Sequence, residues 1–88
     1  MESERETLDL ERDSMLILNN FALFNESNGK DRIVLFIDTR EPMRKAKVRV
    51  ETSDIFDSNM TDTKEADVLD IVERNKGLIE SVLDEDME

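Results

Sequence analysis

The sequence contains no cysteine, histidine, tryptophan or tyrosine, and only two glycines and one proline. Without cysteine there is no disulfide, no thiolate metal ligand and no sulfur nucleophile. Without histidine the usual acid–base group near neutral pH is gone, and with it the commonest metal ligand. A platform for stacking nucleobases would have to be built from the four Phe alone. No apolar run approaches the ~18 residues of a membrane span. The first residues, Met1-Glu2-Ser3-Glu4-Arg5-Glu6, are acidic where a secretion signal would be basic. The expectation is a soluble, cytoplasmic protein with no cofactor and no membrane contact.

What is present is charge. Charged residues make up 40% of the 88-residue chain, hydrophobic ones 38%, and the formal net charge is −11. That length suits one small domain. The charge is uneven, because residues 30–50 hold seven of the twelve Lys and Arg while both ends are acidic. Such a balance disfavours general attraction to nucleic acid or an anionic membrane, and allows a basic patch to act locally.

Residues 1–13 carry only Leu8 and Leu10 as bulky apolar groups and read as a flexible acidic lead-in. The folded domain is expected over residues 14–83, with 84–88 as a frayed acidic tail. A strand is expected within 15–24, best formed at 21–24, where Asn19-Asn20 marks a bend or bulge. Asn28-Gly29 then favours a turn, since both residues tolerate positive φ. Ile33-Val34-Leu35-Phe36-Ile37 is apolar throughout and fits a central strand with both faces covered. Pro42 sits in the following loop, and Ala46, Val48 and Val50 alternate with Lys45, Lys47, Arg49 and Glu51 on a third strand.

Pattern matching sets Ile37 opposite Ala46, Leu35 opposite Val48 and Ile33 opposite Val50. The second face would then pair Phe36 with Lys47 and Val34 with Arg49. After the hairpin, residues 53–58 read as a short helical turn. Residues 62–83 carry an Asp62-x-x-Glu65 start and an apolar stripe from Val68 to Leu83 at helical spacing. Gly77 within that stripe costs about 1 kcal/mol relative to Ala and marks a kink or a close approach. The expected fold is α+β, a three-stranded antiparallel β-meander packed against one long C-terminal α-helix.

Val34, Phe36, Lys45, Lys47 and Arg49 are therefore the candidate binding residues, forming an apolar and basic sheet face that needs a cover. The cations Arg40, Arg44, Lys45, Lys47 and Arg49 could grip an acidic partner. A direct nucleic-acid role is disfavoured, because no aromatic interleaves them and no Gly-rich cradle is present. Asp57-Ser58-Asn59-Met60-Thr61-Asp62-Thr63-Lys64-Glu65 places oxygens at alternating positions, as a calcium loop would. It lacks the central Gly and ends on Val68 where a Glu is required, so no metal is expected there.

Ile37-Asp38-Thr39-Arg40-Glu41 resembles the opening motif of the XPF-type endonuclease domain. With Asp54 and with Glu73-Arg74-Asn75-Lys76 as an interrupted form of the later triplet, the resemblance implies a metal nuclease using Asp38, Asp54 and Glu73. Over residues 22–83 the layout is similar to that of certain small bacterial proteins of unknown function, on stretches 33–36, 48–55 and 69–79. That resemblance implies a strand, a hairpin and a C-terminal helix in order, and no activity.

These residues point to a non-enzymatic protein–protein interaction module acting as a regulator or inhibitor, with a protein partner or a second copy of the chain on the sheet face. An acidic inhibitor that imitates the phosphates of DNA is the alternative. A metal nuclease is the rival from the catalytic class.

Overall fold

The computed structural model describes residues 13–86. Five strands, β1 (Leu16–Leu18), β2 (Phe21–Asn25), β3 (Ile33–Asp38), β4 (Lys45–Arg49) and β5 (Asp54–Ser58), form one antiparallel sheet in sequential order. Two helices follow, α1 (Asp62–Arg74) and α2 (Lys76–Asp86). The α+β class holds, with two more strands and one more helix than the pattern indicated. The expected acidic lead-in lies, but for Asp13, outside the described residues. Of the expected tail, residues 84–86 belong to α2.

The additional strands come from local chemistry. Asn19-Asn20 is a two-residue turn between β1 and β2, and Asn19 takes φ 55°, which Asn tolerates better than most residues. At the other edge, Ser53 turns the chain at φ 54° and its N–H donates to the Val50 carbonyl at 3.3 Å. Residues 54–58 can then pair with β4, Ile55 opposite Val48 and Asp57 opposite Lys47. Strand pairing has overridden the helical turn read from residues 53–58. The register shifts between Lys47 and Val48, leaving Phe56 as the extra residue of a bulge.

The hairpin register differs by one residue from the pattern-based pairing. Val34 lies opposite Val48, Phe36 opposite Ala46 and Leu35 opposite Lys47. Val34 and Phe36 are therefore beneath the helices and fully buried, in one cluster with Leu23, Val48, Val68, Val72 and Ile79. The five-residue apolar run of β3 offers two apolar faces, so hydrophobic pattern alone could not choose between them. The choice rests on β2 and on the loop. Leu23 pairs with Phe36 on the helix side, and Phe21 meets the Phe36 ring edge-on at 6.0 Å and 67°. An aromatic pair of that geometry contributes about 0.5–1.5 kcal/mol beyond its buried area.

The helical segment begins at Asp62, where it was expected, and its N-cap is Thr61, whose hydroxyl accepts from the Lys64 N–H at 3.3 Å. It breaks at Asn75, whose backbone N–H and side-chain amide both donate to the Ile71 carbonyl, at 2.9 and 3.0 Å. Gly77 is not the break and packs closely against nothing. At this end of the molecule Arg32 pairs with Asp84 at 2.8 Å and Lys76 Nζ donates to the Glu51 carbonyl at 2.7 Å. The Arg32 cation offsets acidic charge at the negative end of the α2 dipole.

Urea denaturation checks this arrangement. Phe36→Ala should cost about 3–4 kcal/mol, and Leu35→Ala, on the half-buried outer face, about 1 kcal/mol. The opposite order would fit the slipped register. Gly77→Ala should stabilise the chain by about 0.5 kcal/mol, since the added methyl meets nothing.

Candidate functional site

Residues two apart on a strand share a face. Since Ala46 and Val48 point into the core, Lys45, Lys47 and Arg49 point away from the helices. Their partners on β3 are Ile37, Leu35 and Ile33. Of the expected site residues, Lys45, Lys47 and Arg49 therefore lie together on the outer sheet face. Val34 and Phe36 do not, because they are 0% exposed in the core. Leu35, half-buried, takes the place expected for Phe36.

Leu35, Lys45 and Lys47 line a shallow groove of about 410 Å³, with Glu26, Asp57 and Ser58 at its margin. Arg49 lies further along the strand and is engaged there. Its guanidinium stacks 4.3 Å from the centre of the Phe56 ring and sits 3.5 Å from the Asp54 carboxylate. The outer face thus runs in stripes, apolar on β3, basic on β4 and acidic on β5. Lys45 and Lys47 are the cations that face the groove.

A second concave region lies at the end of the sheet where β3 stops. Asp38 shares a face with Val34 and Phe36, so the register that buries those two also carries a carboxylate to the helix side, where it is 3% exposed. A charge placed there needs a partner. Lys64, in the first turn of α1, donates to Asp38 Oδ2 and also to Glu41 Oε1 at 3.0 Å. The Arg40 N–H donates to Asp38 Oδ1 at 2.9 Å. Burial pushes the Asp38 carboxyl up, but the Lys64 ammonium and the Arg40 and Glu41 N–H groups outweigh it and hold it below its ordinary value. Hydrogen bonds to Asp38 and then Glu41 raise Lys64, against a smaller opposing effect of burial.

Around this pair, Asn19, Asn20, Phe21 and Arg40 close a cleft of about 620 Å³ against Asp67 and Asp70 of α1. The loop bearing Arg40 is fixed from its other side. Asn59 accepts from the Lys45 N–H at 2.8 Å and donates to the Met43 carbonyl at 2.9 Å, and Arg44 donates to the Asn59 carbonyl at 2.7 Å. Met43 itself is 73% exposed at the loop tip.

The carboxylates implied by the nuclease resemblance are dispersed. Asp38 closes β3, whereas Asp54 pairs with Arg49, itself opposite Ile33 at the far end of β3. Five residues of strand, about 17 Å, separate those levels. Asp38 is held by Lys64, and Glu73 is exposed near the end of α1. No group of three acids among the described residues is placed to hold a metal ion. In the segment read against a calcium loop, Ser58 Oγ accepts from the Met60 N–H at 3.0 Å, Asn59 ties the hairpin loop and Thr61 caps α1. These oxygens serve the backbone.

The Lys64 contact and the cleft were not anticipated from the residues. The available sign was Asp38 itself, an acid in phase with two core residues, which requires a cation from the opposing layer. Among the described residues no helix is long and apolar enough to cross a membrane. Compared with known proteins, the chain matches no family model, no curated protein and no solved structure.

The Asp38–Lys64 pair gives stability a defined pH dependence. A carboxyl held below its ordinary value, 3.8, contributes stability that is present above that value and lost as pH falls through the lowered one. A lysine raised above 10.5 contributes below that value and loses its contribution as pH rises through the raised one. The stability difference between wild type and Asp38→Asn, from urea titrations, should be constant across neutral pH and shrink below 3.8. A difference independent of pH in acid would show that the pair contributes nothing.

Proposed function

We propose that this chain is a non-enzymatic protein-interaction module, acting as a regulator or inhibitor, whose contact surface is the outer face of the sheet. The observation that carries the reading is the groove that Leu35 of β3 lines together with Lys45 and Lys47 of β4. An apolar side chain beside two ammonium groups of the next strand suits a partner segment that offers an apolar side chain next to carboxylates. Apolar contact supplies most of the affinity of such a joint, and the charges supply orientation and rate of association. On the outer face of β3, Ile33 and Ile37 are buried, and Leu35 is the apolar residue left half-exposed to a partner.

A second reading has its own support. The outward surface of α1 and α2 carries exposed acids, among them Asp62, Asp70, Glu73 and Glu85. Such a surface fits an inhibitor that presents an imitation of DNA phosphates to a nucleic-acid-binding protein. The two readings use opposite faces and opposite charges, so charge reversal separates them.

Affinity capture from the source cells with the whole chain makes the comparison. Lys45→Glu/Lys47→Glu should weaken capture of a specific partner by about tenfold or more, while Glu73→Lys/Glu85→Lys leaves it intact. The reverse result supports DNA mimicry, and equal capture by both variants removes both readings. If the captured partner is the chain itself, solution mass will rise with concentration in the wild type alone. In every positive case salt should weaken the complex, since screening acts within about 8 Å at physiological ionic strength.

A further inference from the structure

The cleft at the end of β3 has charges of both signs, and its internal pairings decide which of them face outward. Asp38 and Lys64 neutralise each other, with Glu41 as the second partner of Lys64. Asp70 accepts from Arg74 at 3.1 Å, one turn along α1. Among the described residues the Arg40 guanidinium and the Asp67 carboxylate have no partner, and both are exposed on the rim. The carboxamides of Asn19 and Asn20 are also exposed there, and neither has a hydrogen-bond partner among the described residues. Phe21, 5% exposed, also lines the wall.

One guanidinium, one carboxylate and two carboxamides around one cleft are the complement of a zwitterion. We propose that this cleft binds the ammonium and carboxylate groups of a free amino acid or short peptide. Arg40 would take the carboxylate in the two-pronged geometry that guanidinium favours. Asp67 would take the ammonium, and the two Asn would serve the amide groups of a peptide or the second lone pairs of the carboxylate. A simple amine would be opposed by Arg40 and Lys64, and a simple anion by Asp67 and Asp70. A ligand with both charges meets neither penalty. A volume of about 620 Å³ is larger than one small amino acid needs and leaves room for an apolar side chain against Phe21 or for a second residue.

The backbone around the cleft is prepared for such a role. The Thr39 N–H and hydroxyl both donate to the Asn20 carbonyl at 2.9 Å, joining the β1–β2 turn to the end of β3. Arg40 is anchored through its own N–H on Asp38. The walls that carry the two carboxamides and the guanidinium are thus fixed to each other before any ligand arrives, which limits the entropy lost on binding. The cleft is on the helix side of the sheet, so this inference and the proposed interaction face stand or fall separately.

The test is a titration of the whole isotope-labelled chain, followed by NMR, with leucine, leucyl-glycine, N-acetyl-leucine and leucinamide. Saturable shifts at Asn19, Asn20 and Asp67 are expected with leucine or the dipeptide at millimolar concentration. Each singly capped compound should bind about tenfold more weakly, having lost one charge-assisted contact. Tighter binding of the dipeptide than of leucine would identify a peptide as the natural form, and the converse a free amino acid. Arg40→Gln and Asp67→Asn should each remove the response without changing the melting temperature, because both side chains are exposed and unpaired. No saturable shift, or capped compounds binding as well as leucine, would overturn the proposal.

Discussion

The molecule depends on the register in which β3 is held between β2 and β4. One choice of parity places Val34 and Phe36 under the helices, Leu35 among the lysines, and Asp38 against Lys64. Since the side-chain period of a strand is two, none of these placements can change alone. A slip by one residue would expose the one aromatic of β3, bury Leu35 in its place, and turn the Asp38 carboxylate away from Lys64. Core packing and polar pairing therefore select the same register, and each makes the other costly to break.

That coupling explains what could and could not be read in the residues. On β4 and the residue after it, Ala46, Val48 and Val50 alternate with charged residues, and the inward face they indicate is the observed one. The α1 start, the Asn28-Gly29 turn and the buried stripe of Val68, Val72, Ile79 and Leu83 were likewise legible, because each is local. On β3 five successive apolar residues conceal the face, and the deciding information lies in the loop closed by Asp38 and Arg44 and in Leu23 on the neighbouring strand. Both edge strands were missed for a related reason. β1 is three residues long, and β5 carries two acids and a bulge, so neither shows a period of its own. The helix break was sought at Gly77, on propensity, whereas Asn75 makes it by bonding back to Ile71.

The candidate site was legible in part for the same reason. The three cations of β4 follow from that strand's alternation, and they lie together on the outer face. Their apolar companions follow from the β3 parity, so Leu35 replaces Phe36. Arg49 is further qualified by Phe56 and Asp54, which a helical reading of residues 53–58 had placed elsewhere. The cleft depends on a contact between Asp38 and Lys64, 26 residues apart, and so required both the register and the helix placement. Small acidic chains with one sheet and one helical layer leave function to such surfaces, because the fold itself excludes few activities.

The register is open to direct observation through interstrand Hα–Hα nuclear Overhauser contacts, which are strongest between non-hydrogen-bonded antiparallel pairs. Asp38 and Val50 donate across the hairpin to Arg44 and Arg32, so the non-hydrogen-bonded pairs are Ile33–Arg49, Leu35–Lys47 and Ile37–Lys45. Contacts between those Hα atoms are the predicted result. Contacts from Leu35 to Val48 and from Ile33 to Val50 would instead show the slipped pairing, and would contradict the placement of both the groove and the cleft.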